Sequence, residues 1–163
     1  MDENRTIAGV AGIVLADLSP DELDYLPISG ELIFGGGRAS QRAMLVALDP
    51  GRRNGPTGFG ADGVGSIVAL VLTILSGVAT QVLAGQATEG VGRLRIRWRA
   101  WRQRRAIANS PAQAGLATPL PQLTAVQAAR VGRQVLDLSV AAGVSAEQAQ
   151  RISTLIAAAL TEK

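Results

Sequence analysis

The residue types that perform most protein chemistry are scarce in this chain. It has no cysteine and no histidine, and its single lysine is Lys163. These absences exclude disulfides, thiolate nucleophiles, Cys/His zinc sites and imidazole general bases. The carboxylates Asp21, Glu22 and Asp24 lie at a predicted helix start, where the helix dipole favours acidic side chains without any chemistry. We therefore expect a non-enzymatic protein with no cofactor, no metal site and no catalytic residue.

A second candidate is the glycine-rich stretch Gly58–Gly63, whose letters match the dinucleotide-binding pattern GxGxxG. That pattern needs a strand directly before it and an acidic residue after the next strand to bind a ribose hydroxyl. The nearest strand-like segment ends around Leu48, too far before the loop. The acidic residue that should follow the next apolar segment is also missing. In a chain with 19 glycines the match carries little weight, and we expect no cofactor there.

The strongest charge pattern is a segment rich in arginine and tryptophan. Residues 89–105 contain seven arginines and one acid, whereas residues 1–62 contain nine acids and five arginines. Arginine attracts anionic lipid headgroups by about 1 kcal/mol per residue, and tryptophan favours the headgroup level. We predict a membrane-interface site formed by Arg93, Arg95, Arg97, Trp98, Arg99, Trp101 and Arg102. The alternatives are a solvated face and, with less support, binding of nucleic-acid phosphates and bases.

The element that would position this segment is the uncharged run at residues 63–88, directly before it. A bilayer-spanning helix needs about 20 mostly apolar residues. The run is long enough, and arginine and tryptophan at its end are typical of a cytoplasmic membrane boundary. We predict a single-pass membrane protein with a cytoplasmic C-terminus. The alternative is a buried helix of a soluble bundle.

Four small residues recur at every fourth position of this run, namely Gly65, Ala69, Thr73 and Gly77. Small faces let helix backbones approach closely in lipid, where packing drives association. We therefore predict that these four residues form a helix-packing face and that the protein is a homo-oligomer. In the soluble alternative, the same face packs against a neighbouring helix.

The remaining segments define the predicted fold class, which is mainly α with a small mixed N-terminal part. Residues 1–62 include two strand-like stretches, 28–34 and 42–48, and a capping pattern at Ser19 and Glu22. Residues 106–123 contain three prolines and are predicted to be a linker. Residues 124–163 are predicted to form an αα-hairpin, with Gly143 ending its first helix.

The turn of this hairpin carries a short resemblance. Ala142–Ser145, followed by Arg151 and Ile152, resembles the turn of bacterial helix-turn-helix repressors of the LacI and TetR kinds. The resemblance covers about a dozen residues, and it implies that Ala146, Glu147 and Gln148 face bases. It departs from the repressors upstream, where residues 124–142 are predicted to form one long helix. A plain αα-hairpin explains the same glycine.

Two functional hypotheses follow. The first is a small bacterial membrane-anchored scaffold, adaptor or membrane-perturbing effector that binds anionic lipid, self-associates and offers the C-terminal hairpin to a protein partner. The similarity of this chain to such proteins is one of layout alone, namely a small N-terminal part, an apolar helix and an arginine- and tryptophan-rich boundary. The second is a soluble helical interaction module that binds a partner, or DNA, through the hairpin.

Overall fold

The computed structural model describes residues 5–49, 66–83 and 115–161. These ranges hold six α-helices and one 3-10 helix, with two isolated bridges and no strand. In chain order they are α1 (Ile7–Leu18), the 3-10 helix (Pro20–Tyr25), α2 (Leu26–Phe34), α3 (Gly37–Ala47), α4 (Ser66–Leu83), α5 (Ala125–Ala141) and α6 (Ala146–Leu160). The prediction of a mainly α protein is confirmed.

Helix α4 lies at the centre of the described core. Every residue from Val68 to Ala79 is buried. Helices α1, α2 and α3 pack against α4, α5 also reaches it, and α6 packs against α1 and α5. The apolar run is thus covered by helices of its own chain, and burying its branched side chains supplies much of the hydrophobic stabilisation.

The prediction of a membrane span is wrong. Among the described residues, no helix combines the length and the apolar character needed to cross a bilayer. The predicted span of residues 63–88 contains α4, whose Leu70, Leu72 and Leu75 are fully buried within the bundle. The single-pass localisation with a cytoplasmic C-terminus is therefore contradicted. Its physical reason is that protein side chains, rather than lipid, cover the apolar surface.

The small mixed N-terminal part is not found either. Residues 28–34 lie within α2, and residues 42–47 lie within α3. On α3 the buried residues are Ser40, Ala43, Met44 and Ala47, at spacings of three, one and three. That is the spacing of a helix with one buried face. In a short apolar run this spacing cannot be told from that of a buried strand by periodicity alone.

Glu22 joins the N-terminal helices to α4. Its Oε2 accepts hydrogen bonds from the backbone N–H groups of Ile67, at 3.1 Å, and Val68, at 2.8 Å. The first N–H groups of a helix have no partner within the helix, and a carboxylate also complements the positive end of the helix dipole. The predicted capping role at Ser19 is not seen, since the Ser19 side chain makes no cap hydrogen bond.

Residues 115–123, the described part of the predicted linker, are tied to both ends of the described chain. Ile7 N donates to Thr118 O at 3.0 Å, and Leu120 N donates to Arg5 O at 2.7 Å. Leu123 N donates to Leu160 O at 2.8 Å. These bonds hold the start of α1 beside the end of α6.

Candidate functional site

The predicted membrane-interface residues, from Arg93 to Arg102, lie outside the described residues, as do Gly65 and the stretch Gly58–Gly63. The other three residues of the predicted packing face lie in the core. Ala69 and Thr73 are buried, Gly77 is buried beside them, and the Thr73 hydroxyl donates to Ala69 O of its own helix at 2.7 Å. In this fold the face contacts helices of the same chain.

The acidic cluster at the 3-10 helix does not converge on a common point. The Glu22 carboxylate accepts hydrogen bonds from the first turn of α4, whereas Asp21 and Asp24 are exposed. Among the described residues, no group of three or more acidic side chains is placed to hold a metal ion. The cluster therefore has a structural role through Glu22.

The C-terminal hairpin offers a surface that the sequence interpretation did not resolve. Its two helices begin where predicted. Thr124 and Gln127 form a reciprocal capping box, the Ser145 hydroxyl accepts from Gln148 N at 3.3 Å, and Gly143 turns the chain at φ 83°. Only glycine adopts that backbone region freely. These local predictions are confirmed.

The helices of the hairpin run antiparallel along their whole length. Leu123 N donates to Leu160 O beside the start of α5 and the end of α6, Ser153 Oγ donates to Gly132 O at 2.7 Å in the middle, and Gly143 turns the chain between the helices. A helix-turn-helix crosses its helices at about 90–120° instead. The repressor resemblance therefore does not extend to the packing of α5 and α6.

Gly132 sets the close approach of the two helices. A Cβ at this position would lie 3.2 Å from Ser153 Oγ and 3.4 Å from Ala157 Cβ. Both contacts are at or below ordinary van der Waals distance, so the α6 side chains sit against the backbone of α5. The buried hydroxyl of Ser153 is satisfied by the Gly132 carbonyl, which removes the cost of burying it.

A shallow groove of about 610 Å³ follows this junction on its outer side. On α5 it is lined by Ala125, Ala128, Ala129, Gly132, Arg133 and Leu136. On and just after α6 it is lined by Gln150, Ser153, Thr154, Ala157, Ala158 and Thr161. Both sets follow the spacing i, i+3, i+4, i+7, i+8 and i+11, so each is one stripe along its helix.

The side chains of the groove define what it can do. Its floor is made of glycine, alanine and serine, so a backbone can come near. Its polar side chains are neutral except for Arg133, which is exposed and makes no ion pair among the described residues. Leu136 is half-buried and adds one larger apolar contact. A small-molecule site instead needs deep walls and convergent polar groups.

The groove was missed because small residues were followed only within the uncharged run, while in the hairpin they are mixed with exposed polar residues. The repeat of small residues at 125, 128, 129 and 132, matched by 153, 157 and 158, was the available signal. The chain matches no protein-family model, no characterised protein and no solved structure with which it was compared.

Proposed function

We propose that this protein is a non-enzymatic helical adaptor whose α5–α6 groove, defined by the lining residues above, takes a helix of a partner protein. The observation that carries the proposal is the pair of antiparallel small-residue stripes that border the open groove. The groove along the junction of two packed helices offers the site of a third helix. Helix-in-groove docking is a common form of protein recognition.

Small side chains favour a helix as the occupant. Helices pack at interaxial distances of about 8–10 Å, and the lower end needs small residues at the contact. Ala129 and Ala158 are exposed on opposite walls, with Gly132 between them. A partner helix with apolar side chains at positions i, i+3, i+4 and i+7 fills the space that these residues leave.

The charge of the groove selects among such helices. Among the described residues that line the groove, Arg133 is the only charged one. A partner helix with an aspartate or glutamate opposite Arg133 gains a charge-assisted hydrogen bond, while a lysine there meets like charge. The proposed partner is therefore an amphipathic helix with a carboxylate at the edge of its apolar face.

The non-enzymatic part of the proposal rests on the composition and on the buried polar groups. The chain lacks histidine and cysteine. The buried polar side chains of the described residues are five serines and one threonine, with no buried charged group beside them. A serine nucleophile needs a base to activate it.

The test is a selection from a displayed library of amphipathic helical peptides, followed by affinity measurements on purified peptides. Ala129→Trp fills the groove and should weaken binding of the selected peptides by about tenfold or more. Val126→Trp is the matched control, since Val126 is 73% exposed on the same helix and does not line the groove. Its effect should stay within about threefold.

A second pair of variants tests the charge. Arg133→Glu should weaken peptides that carry a carboxylate, while Arg130→Glu, an exposed arginine outside the groove on the same helix, should have little effect. The proposal fails if no peptide is enriched, if Ala129→Trp and Val126→Trp behave alike, or if the two arginine variants do.

A further inference from the structure

We infer a second docking surface on α2, opposite in charge to the groove, that binds a basic amphipathic segment of another protein. We call it the α2 stripe, and it consists of Ile28 and Leu32 on α2 together with Tyr25, which ends the 3-10 helix and occupies the N-cap position of α2. Their spacing of i, i+3 and i+7 places them on one helical face. They are 37%, 57% and 36% exposed, respectively.

The stripe lies on the solvent side of a helix whose other side is already in the core. Ser29, Gly30 and Ile33 are buried, and a Cβ on Gly30 would lie 2.5 Å from Leu116 Cδ1. These residues make the core contacts of α2. The large side chains of the stripe are therefore not needed to cover the core. Single exposed apolar residues are ordinary, whereas a continuous set on one face indicates an interaction surface.

The charges around the stripe decide what it binds. Every charged residue of the segment from Pro20 to Phe34 is acidic. Glu22 is engaged by α4, which leaves Asp21, Asp24 and Glu31, all exposed and without an ion pair among the described residues. The exposed basic residues Arg38 and Arg42 lie on the neighbouring helix α3.

This pattern fits a partner with large apolar side chains flanked by lysine or arginine. Ile28, the most exposed of the three, would be covered by the apolar side chains of the partner. Glu31 lies three residues after Ile28 on α2 and borders the same face, and Asp24 directly precedes Tyr25 of the stripe in the 3-10 helix. A second copy of this chain is disfavoured, because a two-fold interface through the α2 stripe brings two sets of the same acids into one interface.

The probes are two synthetic helical peptides of about 18 residues, one of leucine and lysine and the other of leucine and glutamate. Binding to the full chain is measured by fluorescence anisotropy at low and at high salt. We expect the Leu/Lys peptide to bind at least about tenfold more tightly than the Leu/Glu peptide, with a preference that falls as salt rises.

Surface variants locate the binding. Ile28→Ser should weaken the Leu/Lys peptide about tenfold, whereas Leu45→Ser, at a leucine that is 43% exposed on α3, should leave it within about threefold. The double variant Asp24→Lys with Glu31→Lys should reverse the peptide preference. Circular dichroism checks that each variant keeps its helices.

Three results would overturn the inference. The first is equal affinity for the two peptides, and the second is equal loss in Ile28→Ser and Leu45→Ser. The third is a dimer of the full chain, measured by sedimentation, that Ile28→Ser dissociates, because a second copy would then be the occupant.

Discussion

Small residues recur at helical spacing in two regions of this molecule, and the two regions use them differently. On α4, Ala69, Thr73 and Gly77 are buried, and the large apolar residues of the other faces are buried with them. On the hairpin, Ala129 and Ala158 are exposed, and the stripes they belong to border an open groove.

The difference between the two regions comes from the rest of each helix. Between Val68 and Ala79, α4 has apolar residues on every face, so neighbours cover it from all sides. Helix α5 carries arginine, glutamine and aspartate on the faces that do not meet α4 or α6. A stripe of small residues indicates close backbone approach, and the residues on the other faces of the helix decide whether the helix is buried on all sides or stays at the surface.

The largest expected effect separates the buried helix from the surface. Leu72→Ala should lower the free energy of unfolding by about 2–5 kcal/mol, because it leaves a cavity in the core. Leu72 is fully buried, whereas Leu45 is 43% exposed. Leu45→Ala should cost much less, and urea denaturation followed by circular dichroism measures both. Equal losses would mean that α4 is not the centre of the core.

The next effect concerns the contact of α2 with residue Leu116. The Cβ added by Gly30→Ala would lie 2.5 Å from Leu116 Cδ1 and 2.6 Å from Leu116 Cγ, an overpacking cost of about 1–3 kcal/mol. Since alanine is favoured over glycine within a helix by about 1 kcal/mol, the net loss should be up to about 2 kcal/mol. In a Leu116→Ala background the same change should cost clearly less. Additive losses in this double-mutant cycle would contradict the close contact.

A smaller effect is expected at the start of α4. Glu22→Ala removes the acceptor of the Ile67 and Val68 N–H groups and should cost about 0.5–2 kcal/mol, the usual range for a lost helix cap. Asp21→Ala is the control, because Asp21 is exposed and next in sequence. Denaturation midpoints of the two variants should differ, and identical midpoints would remove the capping role of Glu22.

The smallest effect belongs to the groove. Ala129→Leu should change stability by less than about 0.5 kcal/mol, as expected for an exposed helical position. Ala69→Leu should cost about 1–3 kcal/mol by overpacking the core. The same measurement on both variants compares the two small-residue stripes directly, and a large loss in Ala129→Leu would show that the groove is closed.

Capping and turn signals predicted the local structure of the hairpin, whereas the cap at Ser19 and the strands at residues 28–34 and 42–48 did not form. Thr124, Gly143 and Ser145 marked the start of α5, the turn and the start of α6, because caps and glycine turns depend on neighbouring residues. The environment of α4 was not predictable in the same way. A continuous apolar run shows that a helix will be covered, but lipid and protein side chains are equally apolar.

Contacts between distant segments could not be predicted from the sequence either. Glu22 bonds to a helix 45 residues later, and a capping pattern within its own segment was the more visible alternative. The groove depends on how α5 and α6 are aligned, which Gly132 and Ser153 determine through a contact across 21 residues. The single-helix patterns gave α4, α5 and α6 but missed α2 and α3, and the pairing of the helices required the structure.

The most direct test of the account uses the absence of cysteine from the chain, which makes any introduced thiol unique. Ala69→Cys places it in α4, and Ala129→Cys and Ala158→Cys place it in the groove. We predict that under native conditions the two groove thiols react with a maleimide at nearly the rate of the unfolded chain, while the Ala69→Cys thiol is strongly protected. Equal reaction rates at all three positions would contradict both the buried helix and the open groove.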